Sequence, residues 1–453
     1  MFTFLNGAMT GATQRFLNFA MGQNDKEQTR NVFSISFIIH VIMAVLLIIL
    51  AETVGLWFFY SFFNIPPERQ SAAFIVYQFS IATTAINIIL VPYRATIIAY
   101  EKMSFFALLS IIEVLLKLGV VFLLAVILFD KLVIYGLLTF AVSILILLVY
   151  KFYCNKSFET ARFRYCNDKK LLKQLVEFSG WTTFGSFANV SRNHGTDILI
   201  NIFYGVAVNA AIGIAKQVNS AVNSFVSNFQ TAFRPQITKS YASQDYDYFM
   251  RLIFQTSKIS FYLLFFLALP LYINAEFVLK LWLKNVPEYT VIFVKLILLG
   301  SLLDAISSPF VTSVEATGDI RKFQIINSIF SFSNLPFSLL FLWLGFSPAW
   351  VLIIKLSLGI FFNAWLIFFI KGKISLPIRN LFSEVIIPII IIAFFSSLAV
   401  SFIDRLFFDF VGLLLSCIVS TICIGSLAYW IGLNKAERIF IKNWIKERKK
   451  IVS

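Results

Sequence analysis

Arg192 and Lys216 are cations set inside stretches apolar enough to cross a membrane, and amides and hydroxyls run alongside them. In the second stretch Asn209, Gly213, Lys216, Ser220, Asn223, Ser227, Gln230 and Arg234 recur at gaps of four and three, the spacing of one helix face. Ala211, Ala215, Val218, Val222, Phe225 and Phe229 form the opposite, apolar face. The first stretch repeats the plan with Thr182, Ser186, Asn189, Asn193 and Thr196, and Arg192 lies beside that row. Guanidinium and ammonium groups suit phosphate, and the amides and hydroxyls beside them suit water. The pattern predicts a wet surface inside the bilayer.

At about 1.5 Å per residue, Arg192 falls about 20 Å from one end of its helix and Lys216 about 16 Å from the opposite end of the next, so both sit near mid-depth. A central cation costs about 2.5 to 3.5 kcal/mol on insertion scales and therefore needs water, a carboxylate or an anionic ligand. Asp197 is a candidate partner for Arg192, although i, i+5 is not an ideal helical contact. Two readings stay open: a cationic cavity that accepts phosphate, or a structural ion pair with the lysine snorkelling. Glu113 and Lys117, at i, i+4 in the favoured order, read as an internal salt bridge or as a cavity wall from the first half. Lys295 and Lys355 lie within a few turns of helix ends and read as snorkelling lysines. His40 and Lys258 occupy near-equivalent repeat positions; with Asp304 they are candidates for gating or ion coupling, against interfacial packing as the plainer reading.

The elements that must hold these residues are transmembrane helices. With 59% hydrophobic and 13% charged residues over 453 positions and a mean hydropathy of +0.83, the chain reads as an all-α integral membrane protein. A net charge of +15 then reflects the positive-inside rule and anionic lipid, with no nucleic-acid partner. No Gly-rich phosphate loop, HExxH motif or metal-spaced Cys/His cluster occurs, so neither a cofactor nor a metal is expected.

Apolar runs fall at roughly 32–60, 72–99, 104–129, 132–151, 250–273, 289–315, 323–345, 348–370, 381–403 and 408–431. With the mildly polar segment Phe2–Met21 and the polar pair at 178–204 and 206–233, about thirteen helices are expected. The organisation is an N-terminal lobe at 1–152, a basic cytoplasmic linker at 153–177, a C-terminal lobe at 178–371, two further helices at 372–432 and a basic tail at 433–453. Most Lys and Arg gather on one side, which puts the tail in the cytoplasm. Lys435, Arg438, Lys442, Lys446 and Lys449 share a face of that tail and suggest an interfacial helix on anionic lipid.

An internal repeat links the halves. Arg15 matches Arg234, Asn24 and Asp25 match Gln244 and Asp245, Trp57 matches Trp282, and Pro92 matches Pro309, at offsets of 217 to 225 residues. The segment 178–204 has no mate in the first half, so a first helix is expected to be missing. Parallel repeats of this kind are typical of alternating-access transporters with a site between the halves.

Phe178-Ser-Gly-Trp181, Gly195, Asp197-Ile-Leu-Ile-Asn201, Phe203-Tyr-Gly205, Val208-Asn-Ala-Ala-Ile-Gly-Ile214, Gln217-Val218 and Pro235-Gln-Ile-Thr-Lys239 resemble the lipid-linked oligosaccharide flippases, or O-antigen translocases. Gln14-Arg15-Phe16, Pro92-Tyr93, Ala99-Tyr-Glu-Lys-Met103 and Ala316-Thr-Gly318 fit as well. These flippases belong to a superfamily that includes the multidrug and toxin extrusion transporters. The resemblance implies two pseudo-symmetric helical lobes plus two C-terminal helices. It also implies export of polyprenyl-diphosphate-linked oligosaccharide for O antigen, lipopolysaccharide or capsule across the bacterial inner membrane, with a glycan polymerase and assembly proteins as partners. Such a flippase is not an enzyme. A cation-coupled drug antiporter of the same fold would want a drier, acidic cavity. A membrane glycan polymerase or glycosyltransferase would need a sizeable catalytic loop with paired carboxylates or a histidine.

Overall fold

The computed structural model describes residues 3–62, 66–126, 129–374, 376–407, 410–434 and 437–438. These residues form helices joined by short turns. In order come α1 (Thr3–Gly22), α2 (Lys26–Leu50), a π-helix at Ala51–Gly55, α3 (Leu56–Phe62), α4 (Gln70–Ala99), α5 (Met103–Val126) and α6 (Lys131–Ser157). Then follow α7 (Lys169–Ala242), α8 (Tyr246–Ile273), α9 (Ala275–Trp282), α10 (Thr290–Thr317), α11 (Arg321–Trp343) and α12 (Ala349–Ile374). The short α13 (Ile378–Leu381) leads through a π-helix at Phe382–Ile386 to α14 (Ile387–Leu406), and α15 (Phe410–Leu427) ends in a third π-helix at Ala428–Gly432.

Among the described residues, eleven helical runs are long and apolar enough to cross a membrane. One of them, α7, has 74 residues and breaks at Gly205 (φ 79°, ψ −175°), so it holds two membrane-length helices. Counting α7 twice and adding α1, 20 residues long and rich in Gly, Thr and Asn, gives the thirteen helices expected. The backbone at Gly205 lies in a region open essentially to glycine alone, which is why the break falls there.

Several helices start earlier than their apolar runs, because aspartates cap polar first turns. Asp25, Asp130, Asp168 and Asp245 accept hydrogen bonds from the backbone N–H groups of Gln28, Leu132, Leu171 and Tyr248. The cap at Asp168 shortens the linker expected at 153–177: α6 continues to Ser157, a single 3-10 turn covers Glu159–Ala161, and α7 begins at Lys169. Leu171, Leu175 and Phe178, buried on successive turns, hold this amphipathic start in place.

The chain divides into two compact units: residues 1–186 with 238–244, and residues 187–237 with 245–453. In the first, α4 packs against α1, α2 and α6, and α5 against α6. The end of α7 belongs here: a Cβ on Gly22 would lie 2.6 Å from the carbonyl of Lys239 and 2.8 Å from Cβ of Ala242, an approach only glycine permits. In the second unit α8 packs against α10, α14 and α15, while α12 packs against α10 and α11. Its core joins Ala211, Ile212 and Ala215 of α7 to Phe293, Val294 and Leu298 of α10 and Val351 and Leu352 of α12.

The internal repeat is visible in backbone geometry. Asn24 (φ 57°) and Gln244 (φ 62°) are both left-handed, and each precedes an aspartate that caps the next helix. Glu101 (φ 58°) and Gly318 (φ 83°) are left-handed at the matching later turn, each just after a helix that contains a proline, Pro92 or Pro309. Non-glycine residues seldom adopt positive φ, so three such residues at repeat-related turns mark a shared local plan.

Candidate functional site

The second half of α7 carries the longer polar row. Its buried stripe runs through Val208, Ala211, Ala215, Val222 and Val226, with Val218 packed against the same core. Phe225 is exposed, so the apolar face expected through Phe225 and Phe229 turns instead through Val226, a full turn beyond Val222. Ser220 is exposed and Asn223 half-buried. Neither makes a side-chain hydrogen bond among the described residues. The neighbouring Asn219 is engaged, its Oδ1 accepting from Ser301 Oγ of α10 at 2.7 Å.

The first half of α7 differs more from expectation. Thr182 and Thr196 are buried, and Thr182 Oγ1 donates back to Phe178 O at 3.0 Å. Thr196 Oγ1 lies 2.7 Å from Arg192 O and 3.3 Å from Asn334 Oδ1, while Asn189 Oδ1 accepts from Ser331 Oγ at 3.3 Å. Part of the row expected to face water therefore joins α7 to α11. Polar side chains bond across helices in this way where the alternative is an unsatisfied group in hydrocarbon.

Arg192, Asn189, Asn193, Asp197 and Lys216 do come together, all within the second unit. Arg192 Nη2 donates to Asn189 Oδ1 at 2.9 Å. Lys216 forms an ion pair with Asp197 and points at the carbonyl of Asn193, 3.4 Å away. The partner of Asp197 is thus Lys216 on the other half of α7, because residues five apart on one helix diverge. Lys355 does not snorkel: its Nζ donates to Asn193 Oδ1 at 3.2 Å. Asp304 on α10 lies within electrostatic range of Lys355 and Arg192. Counted by formal charge, the cations Arg192, Lys216 and Lys355 outnumber the carboxylates Asp197 and Asp304 by one.

The remaining candidates lie apart from this cluster. In the first unit Glu113 accepts from Lys117 at 2.7 Å and from Arg94 at 2.8 Å, so the expected pair is a triad whose third member sits inside α4. His40 is buried, its Nδ1 donating to Ser36 O at 2.6 Å, and its Nε2 is buried without a partner among the described residues. Lys258 is sealed in an ion pair with Glu437, which fits packing better than a moving gate. Of the tail cations expected on lipid, Arg438 donates to Leu433 O and Trp430 O, at 3.0 and 2.6 Å. Lys435, Lys442, Lys446 and Lys449 lie outside the described residues.

Sequence reasoning took Lys355 for a snorkelling lysine and missed Arg94, Glu437 and the polar stripe of α11. That stripe, Gln324, Ser328, Ser331, Asn334 and Ser338, is buried along its whole length, and its three-and-four spacing was present in the sequence.

The profile of the polysaccharide biosynthesis protein family matches residues 18–241. No curated protein matches the chain. Among solved structures, a multidrug resistance MATE family transporter of the MOP superfamily in an outward-facing conformation superposes with a TM-score of 0.73 at 12% identity, covering 82% of this chain and 84% of that one. A MATE structure in the straight conformation gives 0.72 at 14% identity, with coverage of 82% and 84%. A MOP superfamily transporter from Pyrococcus furiosus Vc1, described as having a binding pocket of reverse polarity that suggests a different function, gives 0.66 at 14% identity, again covering 82% and 84%. The chain has the MATE fold, and its residues 18–241 match the profile of the polysaccharide biosynthesis protein family.

Proposed function

We propose that this protein is a flippase that exports polyprenyl-diphosphate-linked oligosaccharide across the bacterial inner membrane by alternating access, for O antigen or capsule. The observation that carries the reading is the cluster of Arg192, Lys216 and Lys355, which outnumber its carboxylates by one in formal charge, in a chain matching a polysaccharide biosynthesis family. A diphosphate brings two or more negative charges that must cross hydrocarbon, and clustered cations compensate them through charge-assisted hydrogen bonds. Exposed and half-buried hydroxyls and amides such as Ser220 and Asn223 suit the sugar hydroxyls. The protein acts as a carrier, not an enzyme, with its tail in the cytoplasm against anionic lipid and a glycan polymerase downstream. A cation-coupled drug antiporter of the same fold would draw on Asp197 and Asp304, but here cations outnumber both carboxylates.

Arg192→Ala and Lys216→Ala are expected to abolish surface glycan while leaving protein abundance in the membrane unchanged. Wild-type glycan in both variants would overturn the reading, and transport of a cationic dye by the purified protein would favour the antiporter.

A further inference from the structure

Two of the ion pairs in the second unit contrast in build. Lys258 and Glu437 are sealed, their side chains 2% and 7% exposed, and the lysine donates a further bond to Gly432 O. Lys216 and Asp197 are 35% and 29% exposed. They face each other across the break at Gly205, one from each half of α7, beside the Asn193 that Lys355 also binds. The first build suits a permanent structural bond. The second leaves both groups accessible to a competing ion.

We propose that Asp197 is a built-in counter-ion that holds Lys216 when the site is empty and is displaced by the anionic group of the substrate. The inference rests on the anion-carrying reading above. A lone cation at mid-depth is costly, so an empty carrier needs an internal anion, and a loaded one does not. Loading then exchanges one charge-assisted bond of Lys216 for another, and unloading restores the Asp197 bond without leaving a bare charge. Asp197 acts on the substrate through Lys216 and is a positioning residue for it.

The test uses the full chain in nanodiscs with farnesyl diphosphate as the probe and farnesol as the uncharged control. Asp197→Asn is expected to tighten diphosphate binding about tenfold, leave farnesol binding unchanged and lower glycan export. Asp197→Glu should restore wild-type binding. In the wild-type protein, where folding is not in question, saturating farnesyl diphosphate should raise carbodiimide labelling of Asp197, read by mass spectrometry. If Asp197→Asn binds no more tightly and labelling does not rise, while Lys216→Gln weakens binding, the counter-ion inference fails and the anion site stands. If Lys216→Gln and Arg192→Gln leave diphosphate binding at the wild-type level, both fail.

Discussion

The ammonium of Lys258 lies 3.1 Å from each carboxylate oxygen of Glu437, although 179 residues separate them. Asn434 and Glu437 also cap one another, Asn434 N–H to Glu437 Oε2 at 2.7 Å and Glu437 N–H to Asn434 Oδ1 at 2.9 Å, which fixes the acid where the lysine needs it. Removing one member strands a buried charge. Glu437→Ala is expected to cost about 3 to 5 kcal/mol, and Lys258→Met combined with Glu437→Leu should recover most of that loss. Thermal unfolding of the purified protein in micelles measures both; a wild-type midpoint for Glu437→Ala would show the pair to be dispensable.

Gly205 is expected to resist every side chain. No atom lies within 4 Å of where its Cβ would be, so Gly205→Ala meets only the backbone cost of φ 79°, about 1 to 3 kcal/mol. The same denaturation measurement should rank Gly205→Val below Gly205→Ala, since a β-branched residue tolerates that conformation least.

The matching turns should respond alike. Asp25→Ala and Asp245→Ala each remove a helix cap and are expected to destabilise by about 0.5 to 2 kcal/mol, while Asn24→Gly and Gln244→Gly relieve positive φ and should be neutral or mildly stabilising. Opposite signs within a matched pair would argue against a shared local plan.

Within the Glu113 triad the acid should matter most. Lys117 is 51% exposed, so Lys117→Ala is expected to cost less than about 1 kcal/mol. Glu113→Ala leaves both Arg94 and Lys117 without their carboxylate and should cost about 1 to 3 kcal/mol. Comparison of unfolding midpoints for the two variants checks the order.

Lys355→Met should reduce glycan export about as strongly as Lys216→Ala, because the proposed anion site counts on it as a third cation. Surface glycan, normalised to protein abundance, is the readout; full export by Lys355→Met would confine the site to Arg192 and Lys216.

The helices were legible in the sequence because apolar runs of membrane length have few other uses. Their starts were less so, since Lys26 and Lys169 lie outside the apolar runs and enter helices through the caps at Asp25 and Asp168. The cluster around Arg192 and Lys216 was readable from depth and spacing on neighbouring helices. Lys355 was not, because its partner Asn193 lies 162 residues away and its position near a helix end suggested snorkelling. The buried stripe of α11 was hidden differently. Serines and single amides barely lower the apolar character of a span, so the run at 323–345 gives no sign that Ser331 and Asn334 are bonded to α7.

The bond between Lys258 and Glu437 also sets an order in time. A ribosome adding about 5 to 20 residues per second needs roughly 10 to 40 s to travel from one residue to the other. Throughout that interval α8 is already made while its lysine has no carboxylate from Glu437, so this bond is among the later ones the second unit can form.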